Sequence, residues 1–101
     1  MKEKTIKDKA VAKLKDAGFT VWCPIRNRWT KVDIFNAFDC VAIRKNEVIF
    51  VQWTSAANVS ARVRKVKDFL ITSGALFTNN LRAEVWGLKP SGEWRVVVLT
   101  V

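Results

Sequence analysis

The pattern of apolar and polar residues in the first part of the chain predicts a helix followed by a strand. Apolar residues recur at helical spacing over residues 4–17, with lysines on the other faces and Gly18 after the last turn. The run from Phe19 to Pro24 is typical of a strand that ends at a proline. Residues 26–31 then form a polar, basic connection.

Two apolar runs occupy the middle of the chain, at residues 33–43 and 47–54, and a short polar segment separates them. This arrangement predicts two strands joined by a tight turn, which therefore lie side by side. Both runs are apolar on both faces, as is typical of strands in a sheet that is covered on both sides.

The last part of the chain returns to a helical period and then to strands. A stripe of valine and leucine over residues 59–70 predicts a helix that begins near Asn58 or Ser60 and ends at Ser73-Gly74. Residues 82–88 and 94–101 predict a closing hairpin, and residues 75–78 are compatible with a further short strand. The predicted fold is α/β, a single domain over residues 1–101 with a mixed central β-sheet flanked by helices, in the order α-β-β-β-α-β-β.

The central strand pair also carries the candidate chemistry. Asp39 opens the apolar core of the first strand, and Gln52, Trp53 and Thr54 end the second. Because the start of one strand lies beside the end of its antiparallel partner, Asp39 is expected to face Gln52 and Thr54 across the ladder. Carboxylate and amide oxygens at one sheet edge are ligands for a hard divalent cation such as Mg²⁺.

Charge and composition point to a polyanion as the partner. The chain has a formal net charge of +9 and contains no histidine, which removes Ser-His and Cys-His nucleophile pairs. No apolar run is long enough for a membrane span, and the basic N-terminus lacks the apolar core of a signal peptide. We therefore expect a cytoplasmic protein, located in the host cytoplasm if it is viral. Cys23 and Cys40 lack metal-ligand spacing and are expected to be buried free thiols.

Basic residues cluster in two segments that are candidates for phosphate contacts. Trp29, among the basic residues of the 26–31 connection, is a candidate for stacking on bases, whereas the other four tryptophans fall in strand-like runs and are expected in the core. The candidate nucleic-acid-binding residues are Arg26, Arg28, Trp29, Lys31, Arg62, Arg64 and Lys65.

The opening helix, the strand that begins with Asp39 and the Gln52-Trp53-Thr54 segment 13 residues later resemble the core of the PD-(D/E)XK nuclease superfamily. Size and element order are similar to those of archaeal Holliday junction resolvases. The following basic helix resembles small members of phage or archaeal-virus type with a D…QxT variant of the motif. The resemblance implies a restriction-endonuclease-like fold, Mg²⁺ or Mn²⁺ as cofactor and DNA as substrate.

The resemblance also assigns roles to individual residues. Asp39, Gln52 and the Trp53 carbonyl would hold the metal, with Glu3 of the first helix completing the site. Members of the family usually carry Glu where Gln52 stands and Lys where Thr54 stands. In this chain Lys65 or Arg62 would therefore supply the missing positive charge. The predicted catalytic residues are Asp39, Gln52, Thr54 and Lys65.

Several of these residues have simpler interpretations. Gln52 and Thr54 are also compatible with ordinary strand positions, and Glu3 with a surface ion pair. Asp33 is compatible either with a second acidic contact at the site or with a surface position.

Three functions compete at this stage. The first is a metal-dependent endonuclease, without an organic cofactor, that recognises DNA by shape and acts as a homodimer, since two symmetric cuts need two sites. The second is an inactive nuclease fold that binds nucleic acid, and the third is a basic protein that assembles with proteins or RNA.

Overall fold

The computed structural model describes residues 3–25, 32–74 and 80–99. In these ranges the chain forms two α-helices, one 3₁₀ turn and five strands. The helices are α1 (Glu3–Asp16) and α2 (Val59–Ser73), the 3₁₀ turn covers Ala56–Asn58, and the strands are β1 (Thr20–Trp22), β2 (Cys40–Arg44), β3 (Glu47–Ser55), β4 (Leu81–Leu88) and β5 (Trp94–Leu99).

The five strands of the described ranges form one sheet in the order β1-β2-β3-β4-β5. β3 and β4 run parallel, and the other neighbouring pairs are antiparallel. The parallel pair is possible because α2 lies between β3 and β4 in sequence and carries the chain back to the starting end of the sheet. The predicted α/β class, the mixed sheet and the element order are all confirmed.

Each face of the sheet carries its own hydrophobic core. On one face α1 contributes Ile6, Ala10 and Leu14, which share a core with side chains of β2, β3 and β4. On the other face Val59, Val66 and Leu70 of α2 pack over side chains of β3 and β4. β3 and β4 are therefore covered on both sides, which explains their continuously apolar sequence.

The beginning of α2 lies against β4 because residue 87 is a glycine. A Cβ atom at Gly87 would overlap the side chain of Val59 and would lie 3.0 Å from the Cα of Ala56. This close approach places the 3₁₀ turn and the first turn of α2 over Gly87 of β4, which pairs with Thr54 near the end of β3. The other end of α2 is where it was predicted, with Gly74 in the left-handed conformation at φ 67°.

The prediction of one strand over residues 33–43 was wrong in its first half. Ile34 and Phe38 form an isolated bridge around a tight turn in which Phe35 and Asn36 have φ angles of 52° and 58°. The turn brings Phe38 to 5.3 Å from Phe50 between ring centroids. Aromatic packing beneath α2 thus replaces strand pairing in this segment.

The prediction that four tryptophans lie in the core was wrong for Trp22, which is 57% exposed. Trp22 belongs to the edge strand β1, whereas α2 covers β3 and β4. Trp53 and Trp86 are buried, and Trp94 packs against Trp86 with ring centroids 5.4 Å apart.

The possible strand at residues 75–78 lies outside the described residues. Among the described helices, none has the length and apolar character needed to cross a membrane.

Candidate active site

Strand register brings Asp39 and Gln52 together. Cys40 pairs with Val51, so the residue before β2 lies opposite the residue after Val51. The backbone N–H of Asp39 donates to the carbonyl of Val51 at 2.8 Å, which fixes the aspartate beside the last part of β3. The predicted approach of these two side chains is therefore present.

The carboxylate of Asp39 is buried, with only 3% of the residue exposed. Its Oδ2 accepts a hydrogen bond from Nε2 of Gln52 at 2.6 Å and another from the backbone N–H of Trp53 at 2.8 Å. Two N–H groups from β3 thus aim the acid at the end of that strand.

The amide of Gln52 leaves its own oxygen available. Nε2 of Gln52 points to Asp39 and lies 3.4 Å from the Trp53 carbonyl, while Oε1 is buried and has no hydrogen-bond partner among the described residues. The indole Nε1 of Trp53 is likewise buried and unpartnered within the described ranges. Buried polar atoms without partners cost free energy, about 1–3 kcal/mol each, and mark places where a ligand or water belongs.

These groups border a cavity of about 210 Å³ at the end of β3, which Ile6 of α1 and Arg62 of α2 also line. The cavity combines two carboxylates, one guanidinium and several neutral oxygen-bearing side chains. Its lining residues are Ile6, Asp33, Asp39, Gln52, Trp53, Thr54, Ser55, Asn58 and Arg62.

The basic residues of α2 differ in their position relative to this cavity. Arg62 is half-buried and lines the cavity, whereas Arg64, two residues further along the helix, is exposed to solvent. Lys65 forms a long ion pair with Asp33, with 3.8 Å between Nζ and Oδ2. Asp33 itself lines the cavity, so this pair holds the ammonium group of Lys65 near its border.

Two cysteine thiols are close to this site: that of Cys40, the residue after Asp39, and that of Cys23. Cys40 is fully buried, and its thiol shares a hydrogen bond with the thiol of half-buried Cys23. This hydrogen bond, together with burial, raises the pKa of Cys40 well above its ordinary value. Cys40 is therefore protonated at neutral pH. The expectation of free thiols agrees with the structure, although Cys23 is only partly buried.

The structure thus collects part of the predicted site. Asp39, Gln52, Trp53 and Thr54 border one cavity, and Arg62 joins them from α2. The side chain of Glu3, the predicted fourth metal contact, lies outside the described part of the structure. The predicted contacts of the basic connection, Arg26, Arg28, Trp29 and Lys31, also lie outside it.

Sequence reasoning missed two polar residues of the cavity, Ser55 and Asn58. Nδ2 of Asn58 donates to Oγ of Ser55 at 3.2 Å, and the Asn58 side chain makes no hydrogen bond that caps α2. Asn58 was considered only as a helix cap. Its position three residues after Ser55 was the available signal, since it places Asn58 at the end of the short turn that follows the last residue of β3.

The donor set is compatible with a hard divalent cation. Mg²⁺ and Mn²⁺ sites use oxygen ligands with one or two carboxylates and keep several waters. The cavity offers Asp39, the unpartnered oxygen of Gln52 and nearby Asp33, with space for solvent. Among the described residues no group of three His, Cys, Asp or Glu side chains could hold a metal. Any ion here would thus depend on neutral oxygens as well as on carboxylates.

The chain was compared with known proteins. No protein-family model matches it, and no curated protein matches it. Among solved structures it is similar to Hjc, a Holliday junction resolvase from the archaeal hyperthermophile Archaeoglobus fulgidus. The TM-score is 0.57 at 19% sequence identity, and the match covers 93% of this chain and 74% of Hjc.

The chain has a restriction-endonuclease-like fold. At this level of identity the likeness concerns the path of the backbone. The chemistry of the site therefore depends on the residues that line the cavity.

Proposed function

We propose that this protein is a divalent-metal-dependent endonuclease that cuts branched DNA, in the manner of a resolvase. The observation that carries the proposal is the joint placement of the Asp39 carboxylate and the unpartnered Gln52 amide oxygen in a cavity bordered by Arg62. The structural likeness to a Holliday junction resolvase and the net charge of +9 support the same class of substrate.

Asp39, Gln52 and the Trp53 carbonyl would hold the ion. Carboxamide oxygen and nitrogen are assigned from the hydrogen-bond network, and rotation of the amide group exchanges the two. In either orientation of its amide group, Gln52 can thus present an oxygen to the ion without movement of β3. When bound, the cation supplies charge neutralisation at the scissile phosphate and activation of water.

The chain's own residues position the phosphate. Arg62 carries its charge into the cavity, where a guanidinium can pair with phosphate oxygens. Lys65, held by Asp33, adds a second positive charge at the border. Together they take the place of the motif lysine, since Thr54 carries no charge. Thr54, Ser55 and Asn58 add neutral groups that can orient water or phosphate oxygens.

The proposal includes recognition by DNA shape and a homodimer. Contacts from arginine and lysine to the backbone carry no direct sequence information. Two coordinated cuts in a branched molecule require two active sites, which a pair of identical chains would supply.

The proposal is tested by incubating the purified chain with labelled four-way junctions, nicked duplex, plain duplex and single strands. Each substrate is tested with Mg²⁺, with Mn²⁺ and with a chelator. We expect cleavage of the junction only with metal, and a loss beyond about 100-fold for Asp39→Asn. The matched control is Asp16→Asn, which removes an exposed carboxylate at the end of α1 and should leave cleavage unchanged.

The outcomes separate the competing functions. Salt-sensitive binding to DNA without cleavage under any metal condition would replace the nuclease by a binding module. Absence of binding to all four substrates would overturn a role on DNA altogether.

A further inference from the structure

Cys23 and Cys40 stand opposite each other where β1 and β2 meet. The antiparallel register pairs Thr20 with Ile43 and Trp22 with Val41. Continuing it by one residue places Cys23 directly across from Cys40. Their side chains belong to the same hydrophobic cluster and share a hydrogen bond.

The two thiols differ in their access to solvent. Cys40 is fully buried, whereas Cys23 follows the end of β1 and is only half-buried. Opposed side chains on neighbouring strands have Cβ atoms about 4.5–5.5 Å apart. A disulfide requires about 3.5–4.5 Å, so only a small movement separates the pair from bonding geometry.

We propose that Cys23 and Cys40 form a reversible disulfide when the protein meets a peroxide. The sulfur of Cys23 attacks a peroxide oxygen, the O–O bond breaks, and Cys23 becomes a sulfenic acid with release of water or an alcohol. The sulfur of Cys40 then attacks the Cys23 sulfur, the S–O bond breaks, and the departing hydroxyl takes the proton of the Cys40 thiol and leaves as water. The two sulfurs together lose two electrons and two protons, and a dithiol reverses the reaction.

The bond would connect both ends of residues 24–39. This segment contains the basic connection 26–31 and leads to Asp33 and Asp39. Asp39 is held independently from β3, through the carbonyl of Val51 and the backbone N–H of Trp53. The disulfide therefore closes a covalent ring that contains this segment and leaves the carboxylate in place.

The test treats the purified full chain with hydrogen peroxide in the presence of a chelator, then alkylates the remaining thiols and measures the intact mass. We expect a monomer that has lost two hydrogens and takes up no alkyl group, and that recovers two alkylatable thiols after a dithiol. The oxidised form should melt about 10 °C higher than the reduced form, as expected for closing a loop of this length. No nucleic acid or metal enters the assay, so its result is independent of the proposed nuclease activity.

Two variants complete the experiment. Cys40→Ser should trap the Cys23 sulfenic acid, detected with a dimedone-type reagent, and Cys23→Ser should slow oxidation of Cys40 at least about tenfold because that thiol is buried. If Cys40→Ser does not fold, Cys40→Ala replaces it as a small apolar substitute. Two alkylatable thiols after a peroxide dose that oxidises free glutathione would overturn the proposal. So would disulfides found only between two chains.

Discussion

Asp39 and Glu84 are both buried acidic residues, with 3% and 5% of the residue exposed, but their partners in the sheet differ. Asp39 accepts hydrogen bonds from the Gln52 amide and a backbone N–H at the border of a cavity. Glu84 lies within β4, where one oxygen is 2.6 Å from Nε of Arg82 and the other accepts from the Trp86 indole at 2.8 Å.

We propose that the difference separates a carboxylate that serves the fold from one that serves the proposed site. The charge of Glu84 is compensated by Arg82 inside the protein. The guanidinium of Arg82 also pairs with Glu47, with 3.7 Å between Nη2 and Oε2. Asp39 adjoins the unpartnered amide oxygen of Gln52 and an open volume. A buried acid indicates function when its neighbours are incomplete as well.

The strongest test exchanges each acid for its amide. Glu84→Gln removes the closer of the two carboxylates that pair with the largely buried guanidinium of Arg82, so the free energy of unfolding should fall by about 2 kcal/mol. Asp39→Asn keeps an oxygen that accepts from the β3 N–H groups, so the loss should stay below about 1 kcal/mol. Urea unfolding in the absence of metal measures both changes.

The stabilisation by metal should be lost in Asp39→Asn and kept in Glu84→Gln, the opposite of the order expected for unfolding without metal. Mn²⁺ should raise the melting temperature of wild type and of Glu84→Gln, because ligand binding stabilises the folded state, and should leave Asp39→Asn unchanged. Equal Mn²⁺ responses in both variants would remove the distinction between the two acids.

A second test adds a negative charge beside Asp39. Gln52→Glu places a second carboxylate within hydrogen-bonding reach of Asp39, which should destabilise the metal-free protein through like-charge repulsion. It should tighten Mn²⁺ binding about tenfold, since one more ligand is anionic. Calorimetric titration with Mn²⁺ and thermal melting without it give both quantities.

The control for this variant is Asn46→Asp, which adds the same charge in the exposed turn between β2 and β3. It should leave Mn²⁺ affinity unchanged. Weaker Mn²⁺ binding by Gln52→Glu would place the ion elsewhere.

A smaller effect distinguishes the two arginines of α2. Arg62→Ala should lower the cleavage rate at saturating DNA about fivefold, because Arg62 lines the cavity, whereas Arg64→Ala should change only binding. Each should reduce the slope of log K against log salt by about 0.9, as expected when one phosphate contact is lost. Single-turnover cleavage and binding at several salt concentrations separate rate from affinity. Equal rates for the two variants would assign Arg62 to the general basic surface.

Local sequence signals predicted most of the fold. The helical stripe of α2, its glycine stop and the turn between β2 and β3 are decided by residues close together in the chain, and each was confirmed. The pairing of Asp39 with Gln52 was also predictable, because a hairpin's register follows from its turn. The hydrogen bonds of Glu84 to Arg82 and Trp86 were also accessible from the sequence, because residues two apart in a strand share one face. The link from Arg82 to Glu47 was not, since it depends on the pairing of β3 with β4.

The residues by themselves determined the kind of molecule: the order of helices and strands, the positive charge and the oxygen-bearing pair at the end of β3. Only the tertiary structure decided which neighbours complete that pair. It drew residues 34–38 into an aromatic turn, exposed Trp22 on the edge strand and turned Arg62, rather than Arg64, into the cavity. Such outcomes depend on contacts between distant segments, and these contacts outweigh the modest preferences of single residues for strand or core.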